Sequence, residues 1–170
     1  RSSSDLIATA SAFSGPAVGR LDADGVADFT APTAGFTRLI DLSATESQAP
    51  SDDQVLAWKG GDTGNALPGF PQVTADIGFF VSPAIADLDG DGRNETIVGN
   101  GLAVLSAHEA DGSRPAGWPK LQGEWVVGTP GLGDWDGDGV AEIAHVRRDG
   151  VLMVWRTAQK ASKLTEWPRF

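Results

Sequence analysis

The nine residues DLDGDGRNE, Asp87 to Glu95, set four acids and two glycines between apolar stretches, and 47 residues later the chain writes DWDGDGVAE, Asp134 to Glu142. Like charges crowded this closely repel, so each run needs something to neutralise it. Its recurrence in matching surroundings also means that one structural unit is repeated. A repeat restricts the fold more than any single motif.

The match extends beyond the acids. SPAIADLDGDGRNETIVGNG, Ser82 to Gly101, aligns with TPGLGDWDGDGVAEIAHVRRDG, Thr129 to Gly150, with Pro83 on Pro130. A mark ending in an aromatic residue and proline recurs as GFP at 69–71, GWP at 117–119 and EWP at 166–168, at spacings of 48 and 49. A weaker copy, SGPAVGRLDADGVADF, places Pro16, Asp22, Asp24, Gly25 and Asp28 on Pro83, Asp89, Asp91, Gly92 and Glu95, at an offset of 67. The first unit therefore carries an insertion of about twenty residues, whose seat is the Ser/Gln/Asp-rich SATESQAPSDD at 43–53. Three units follow: a degenerate first one over 1–81, a second over 82–128 and a shortened third over 129–170, all in one domain.

Each unit reads as short strands divided by Gly, Pro and Asp turns, and no segment sustains a 3.6-residue period, so helices should be nearly absent. The apolar run VLMVW, Val151 to Trp155, has the length of a strand buried on both faces. A unit of about 48 residues with about four strands has the size of a propeller blade. The expected fold is all-β, a β-propeller of about three blades. The small-residue strands PAIA and PGLG suit the innermost position, where neighbouring blades crowd.

Acids at positions 1, 3 and 5 of a tight loop point three carboxylates at one centre, and hard cations such as Ca²⁺ take six to eight oxygen ligands. The ligands expected in the second unit are Asp87, Asp89, Asp91 and Glu95 with the backbone carbonyl of Arg93. In the third they are Asp134, Asp136, Asp138 and Glu142 with the carbonyl of Val140. Two Ca²⁺ sites result; Mg²⁺ fits less well because it demands strict octahedral geometry and keeps several waters. An EF-hand is excluded: its position 12 is a bidentate Glu between helices, whereas position 12 here is Val98 or His145 and the flanks read as strands. Plain solvated Asp-Gly turns would not require the whole nine-residue pattern to return at blade spacing. In the first copy Arg20 stands where Asp87 stands in the second, so the loop from Arg20 to Asp28 is expected to bind calcium poorly or not at all, with the guanidinium partly neutralising Asp22, Asp24 and Asp28.

These residues resemble the FG-GAP/VCBS repeats of integrin-alpha-like β-propellers, whose blades carry a D-x-D-x-D-G-x-x-E calcium loop between two strands. The resemblance runs from about Ser14 to Phe170 and is weakest at Arg20. It implies a propeller of about seven blades, structural calcium, and a secreted or cell-surface protein serving adhesion or ligand binding. Such repeats also occur beside hydrolases and in polysaccharide lyases. Three units cannot close such a ring. The open edges are therefore expected to meet the remaining blades of a longer protein or another chain.

Composition removes other classes. A formal charge of −10 and an isoelectric point near 4.4 argue against nucleic acid and anionic membranes, which need clustered Lys and Arg. There is no cysteine, hence neither disulfide nor thiolate metal site, and no run of eighteen apolar residues to insert in a membrane. Of six Trp, Trp118 and Trp167 recur with Phe70 in the repeat and suit packing between units, Trp58 and Trp155 suit the core, and Trp125 and Trp135 are less constrained. His108 and His145 share no motif with an acid, and no nucleophile elbow, metalloprotease motif or phosphate loop occurs. A non-catalytic binding segment, for a protein or carbohydrate ligand, is the leading expectation. The alternatives are the propeller part of a secreted carbohydrate-active enzyme and a propeller lectin. The loose basic pair Arg147 and Arg148 is too little for lyase chemistry.

Overall fold

Turn residues cut the chain into short strands that fold back on their immediate predecessors. The computed structural model describes residues 14–33, 53–62, 65–74, 76, 78 and 80–164. The first sheet holds β1 (Ala17–Gly19), β2 (Asp28–Pro32), β3 (Gln54–Trp58) and β4 (Gln72–Val73). The second holds β5 (Ala84–Ala86), β6 (Glu95–Gly99), β7 (Val104–His108) and β8 (Lys120–Leu121), and the third β9 (Val126–Gly133), β10 (Val140–Arg147) and β11 (Leu152–Lys160). Spatial order equals chain order in every sheet, and every pairing is antiparallel. The only helical element among the described residues is a single 3₁₀ turn, Ala161–Lys163, so the all-β expectation is met.

Two apolar layers hold the three sheets together. Ala17, Val55, Ala57 and Phe70 of the first sheet meet Val81, Ile85 and Val98 of the second. On the other side Ala84, Ala86, Ile97, Leu105 and Ala107 meet Val126, Leu132 and Ile143 of the third. Alternation along a strand explains the division, because successive side chains point to opposite faces: Val98 serves one layer and its neighbour Ile97 the other. The middle sheet is thus covered on both faces, and every residue of β5 and β6 is buried.

The small first strands allow close approach. β1 touches β5 and β5 touches β9. At Gly99 a Cβ would come 2.2 Å from Cγ1 of Val126, so only glycine lets the second and third sheets meet there. The GFP and GWP marks share a local form, each with a cis aromatic-proline bond, Phe70–Pro71 and Trp118–Pro119.

Two expectations need correction or adjustment. VLMVW is not buried on both faces: Val151, Leu152 and Val154 are exposed, while Trp155 packs partly buried against the second layer. The apolar run reads as two-sided, but no further sheet lies on that face among the described residues. Ala144, Val146, Leu152 and Val154 pair across β10 and β11 on this open side. The third sheet also begins at Val126, three residues before the unit boundary expected from the repeat. Most of the expected insertion and the EWP mark with Trp167 lie outside the described residues. Among the described residues no helix is long and apolar enough to cross a membrane.

Candidate metal centres

Each acidic run joins the first and second strands of a sheet, and its backbone is wound by its own aspartates. Asp87 accepts N–H bonds from Gly90 (2.6 Å) and Gly92 (3.0 Å), Asp89 from Asp91 (3.1 Å), and Asp91 from Arg93 (2.8 Å). The third-sheet loop repeats this: Asp134 with Gly137 and Gly139, Asp136 with Asp138, Asp138 with Val140. These are Asx turns in series, which explains why short acidic side chains occupy the odd positions. The glycines adopt left-handed backbone angles, +84° and +92° at Gly90 and Gly92 and +79° and +88° at Gly137 and Gly139, a region costly for other residues.

The winding brings carboxylates together. One oxygen from each of Asp87, Asp89, Asp91 and Glu95 lies within 4.8 Å of the others, and likewise for Asp134, Asp136 and Glu142. Both groups could hold a metal ion. Asp138 does not join the second group; its carboxylate turns to Arg156, 2.5 Å from Nη2. The expected carbonyl donors Arg93 and Val140 sit where their N–H groups close the last Asx turn of each loop.

The glutamates carry the clearest sign of a ligand. Glu95 is fully buried and Glu142 nearly so. In each, Oε2 accepts a backbone N–H, from Leu88 at 2.5 Å and from Trp135 at 2.9 Å. In each, Oε1 is buried with no hydrogen-bond partner. A buried carboxylate oxygen left without a donor is costly, and both face clusters of further carboxylates. Burial, with Glu109, Asp89 and Asp87 nearby, pushes Glu95 up to about 9 from its ordinary 4.5. An all-oxygen donor set of this charge suits a hard divalent cation.

The first loop is built otherwise. Asp22 and Asp24 make the same Asx turns, to Asp24 N–H and Val26 N–H. At the ninth position Asp28 replaces glutamate, and both its oxygens are used: Oδ2 by the N–H groups of Leu21 and Asp22, Oδ1 by that of Gly60 at 2.9 Å. The Lys59 ammonium lies 3.1 Å from Asp22 and 3.0 Å from Asp24. The sequence points to Arg20 as the neutralising cation; Lys59 supplies a positive charge that the repeat pattern does not point to.

Lys59 has counterparts. In the third sheet Glu142 is paired across the strands with Arg156. In the second, Thr96 pairs with His108, so the register continues to Glu95 opposite Glu109. In the first, Phe29 pairs with Trp58, so it continues to Asp28 opposite Lys59. The residue facing the ninth-position acid is thus Lys, Glu or Arg. Only its place after the third apolar strand of each unit could have drawn attention to it.

Of the remaining candidates, the histidines belong to the strands. His108 and His145 are buried strand residues whose pKa burial lowers, His145 bonded through Nε2 to Gln122 at 2.9 Å. Trp118 and Trp155 flank Lys120 at 5.3 and 5.5 Å, and Trp125 stacks under Arg148. Trp135, inside the third-sheet loop, is exposed. Compared with known proteins, the chain matches no protein-family model and no curated protein sequence.

Proposed function

We propose that this chain is a calcium-stabilised segment of a β-propeller, three successive blades of a longer ring, in a secreted or cell-surface protein that binds a protein or carbohydrate ligand without catalysis of its own. The propeller reading is supported by three meander sheets packed face to face in sequence order, with their first strands in contact. The exposed apolar side of β10 and β11 suits a following blade. The binding role rests on the resemblance to adhesion-type repeats and on the absence of a catalytic motif in the sequence.

One observation carries the calcium reading: two buried glutamates, each with one oxygen held by a backbone amide and the other unpartnered within a carboxylate cluster. Calcium suits it better than magnesium because flexible carboxylate loops tolerate irregular high coordination. Extracellular calcium sites have Kd values of about 10⁻⁴–10⁻³ M. At ten times Kd each site would add about 1.4 kcal/mol of stability. Two would supply about 3 kcal/mol, a large share of a typical domain stability of about 5–15 kcal/mol.

The test is calorimetric titration with calcium chloride and melting in chelator against millimolar calcium. Wild type should bind two ions and melt higher with calcium. Asp89→Ala combined with Asp136→Ala should abolish both effects. Absence of binding in the wild type would sink the calcium reading.

A further inference from the structure

The three loops share Asx turns and differ in charge: Arg20 replaces the first acid in the first loop, Arg93 lies inside the second, and the residue facing the ninth acid is Lys, Glu or Arg. The second-sheet loop gathers Asp87, Asp89, Asp91 and Glu95, and Glu109 adds a fifth carboxyl whose Oε2 is buried without a hydrogen-bond partner. The third-sheet loop faces Arg156, which reaches Asp138 at 2.5 Å and Asp136 at 3.8 Å. The first faces Lys59, which contacts Asp22 and Asp24 while backbone amides use both oxygens of Asp28.

We propose that this single cross-strand position grades the three loops: Glu109 makes the second-sheet loop the tight divalent-cation site, Arg156 makes the third-sheet loop a weak one, and Lys59 takes the place of metal in the first. The proposal rests on the calcium reading of the two glutamate-bearing loops. Its physical basis is direct. A cation entering the third-sheet loop must draw Asp136, and Asp138 if it is to ligate, away from a guanidinium that already interacts with them. A cation entering the second meets one exposed guanidinium, that of Arg93 at 3.2 Å from Asp91, but it also finds the added carboxyl of Glu109 and two buried oxygens, on Glu95 and Glu109, that have no hydrogen-bond partner. The first loop has no such oxygen at its ninth position, so an ion there would have to displace both an ammonium and backbone donors.

Glu109 and Arg156 lie beside the cluster rather than in it, so their effect is on affinity and not on site number. Reversal or removal of one neighbouring charge changes divalent binding by roughly 3–10-fold, given partial screening near the surface. Titration of the full chain with calcium chloride should therefore resolve two sites separated by at least about tenfold in affinity. Asp89→Ala should remove the tighter and Asp136→Ala the weaker. Glu109→Gln, which keeps the side-chain shape, should weaken only the tight site, and Arg156→Gln should tighten only the weak one, each by roughly 3–10-fold. Lys59→Gln should leave two ions bound and lower the melting temperature equally in chelator and in calcium. Two sites of equal affinity, a ratio unmoved by both variants, Asp89→Ala removing the weaker site, or a third ion in wild type would overturn the grading while leaving the calcium reading intact. Absence of all binding would overturn both.

Discussion

Glu95 and Asp28 differ by one methylene, and that difference separates two kinds of loop. The shorter side chain lets backbone N–H groups reach both oxygens of Asp28, whereas the longer one leaves Oε1 of Glu95 buried and unpartnered. Replacing Glu95 with glutamine isolates the point. Without metal, burial already favours the uncharged acid, so the amide should be nearly neutral: its oxygen can still accept the N–H of Leu88. With calcium, one charged ligand is gone. Glu95→Gln should melt close to wild type in chelator at neutral pH, because the raised pKa of Glu95 means that a neutral group occupies the buried site in both proteins. In calcium at ten times Kd it should lose about 1.4 kcal/mol of the metal-dependent gain. A large loss in chelator would show that Glu95 stabilises the loop without metal.

At the scale of strands, burial on two faces or one decides what a side chain contributes. Ile97 lies fully buried between the second and third sheets, so Ile97→Ala should cost about 2–5 kcal/mol, read from denaturant unfolding. Leu152 is exposed on the open side of the third sheet, and Leu152→Ala should fall within about 0.5 kcal/mol. Gly99→Ala must push Val126 out of contact and should cost about 1–3 kcal/mol through overpacking. Equal effects at Ile97 and Leu152 would contradict the face-to-face order of the sheets. The same scale shows what could be read in the sequence. The loops were legible because an Asx turn is built within a few residues, so D-x-D-G carries its own geometry. Strand number in the first two sheets followed from turn spacing. VLMVW misled because a continuous apolar run records how hydrophobic both faces are, not whether a neighbour covers them. Lys59, Glu109 and Arg156 were hidden for a related reason: they reach the loops through strand pairing, 31, 14 and 14 residues beyond the ninth acid, and carry three different side chains.

For the whole molecule, an excess of ten negative charges makes the metal and the proton rivals for the same oxygens. Glu95 has a folded pKa near 9 against an ordinary 4.5, and Glu109 is raised in the same direction by burial and by Asp89 and Asp91. A carboxyl whose pKa is raised by folding binds more protons in the folded chain than in the unfolded one. The metal-free fold should therefore lose stability as pH climbs from about 4.5 towards about 9. His108 and His145 act oppositely and lower down, since burial depresses them below the ordinary 6.5 and their unfolded forms take up protons first as pH falls. The carboxyl effect is thus cleanest above pH 7. Calcium requires the ionised carboxylates and releases their protons on binding, so its contribution should grow over that same window. Melting curves between about pH 7 and 9 should slope downward in chelator and become flat or upward in millimolar calcium. If the two slopes were the same, the buried glutamates would not be the groups that the ion neutralises, and the charge of the acidic loops would have to be balanced from elsewhere in the fold.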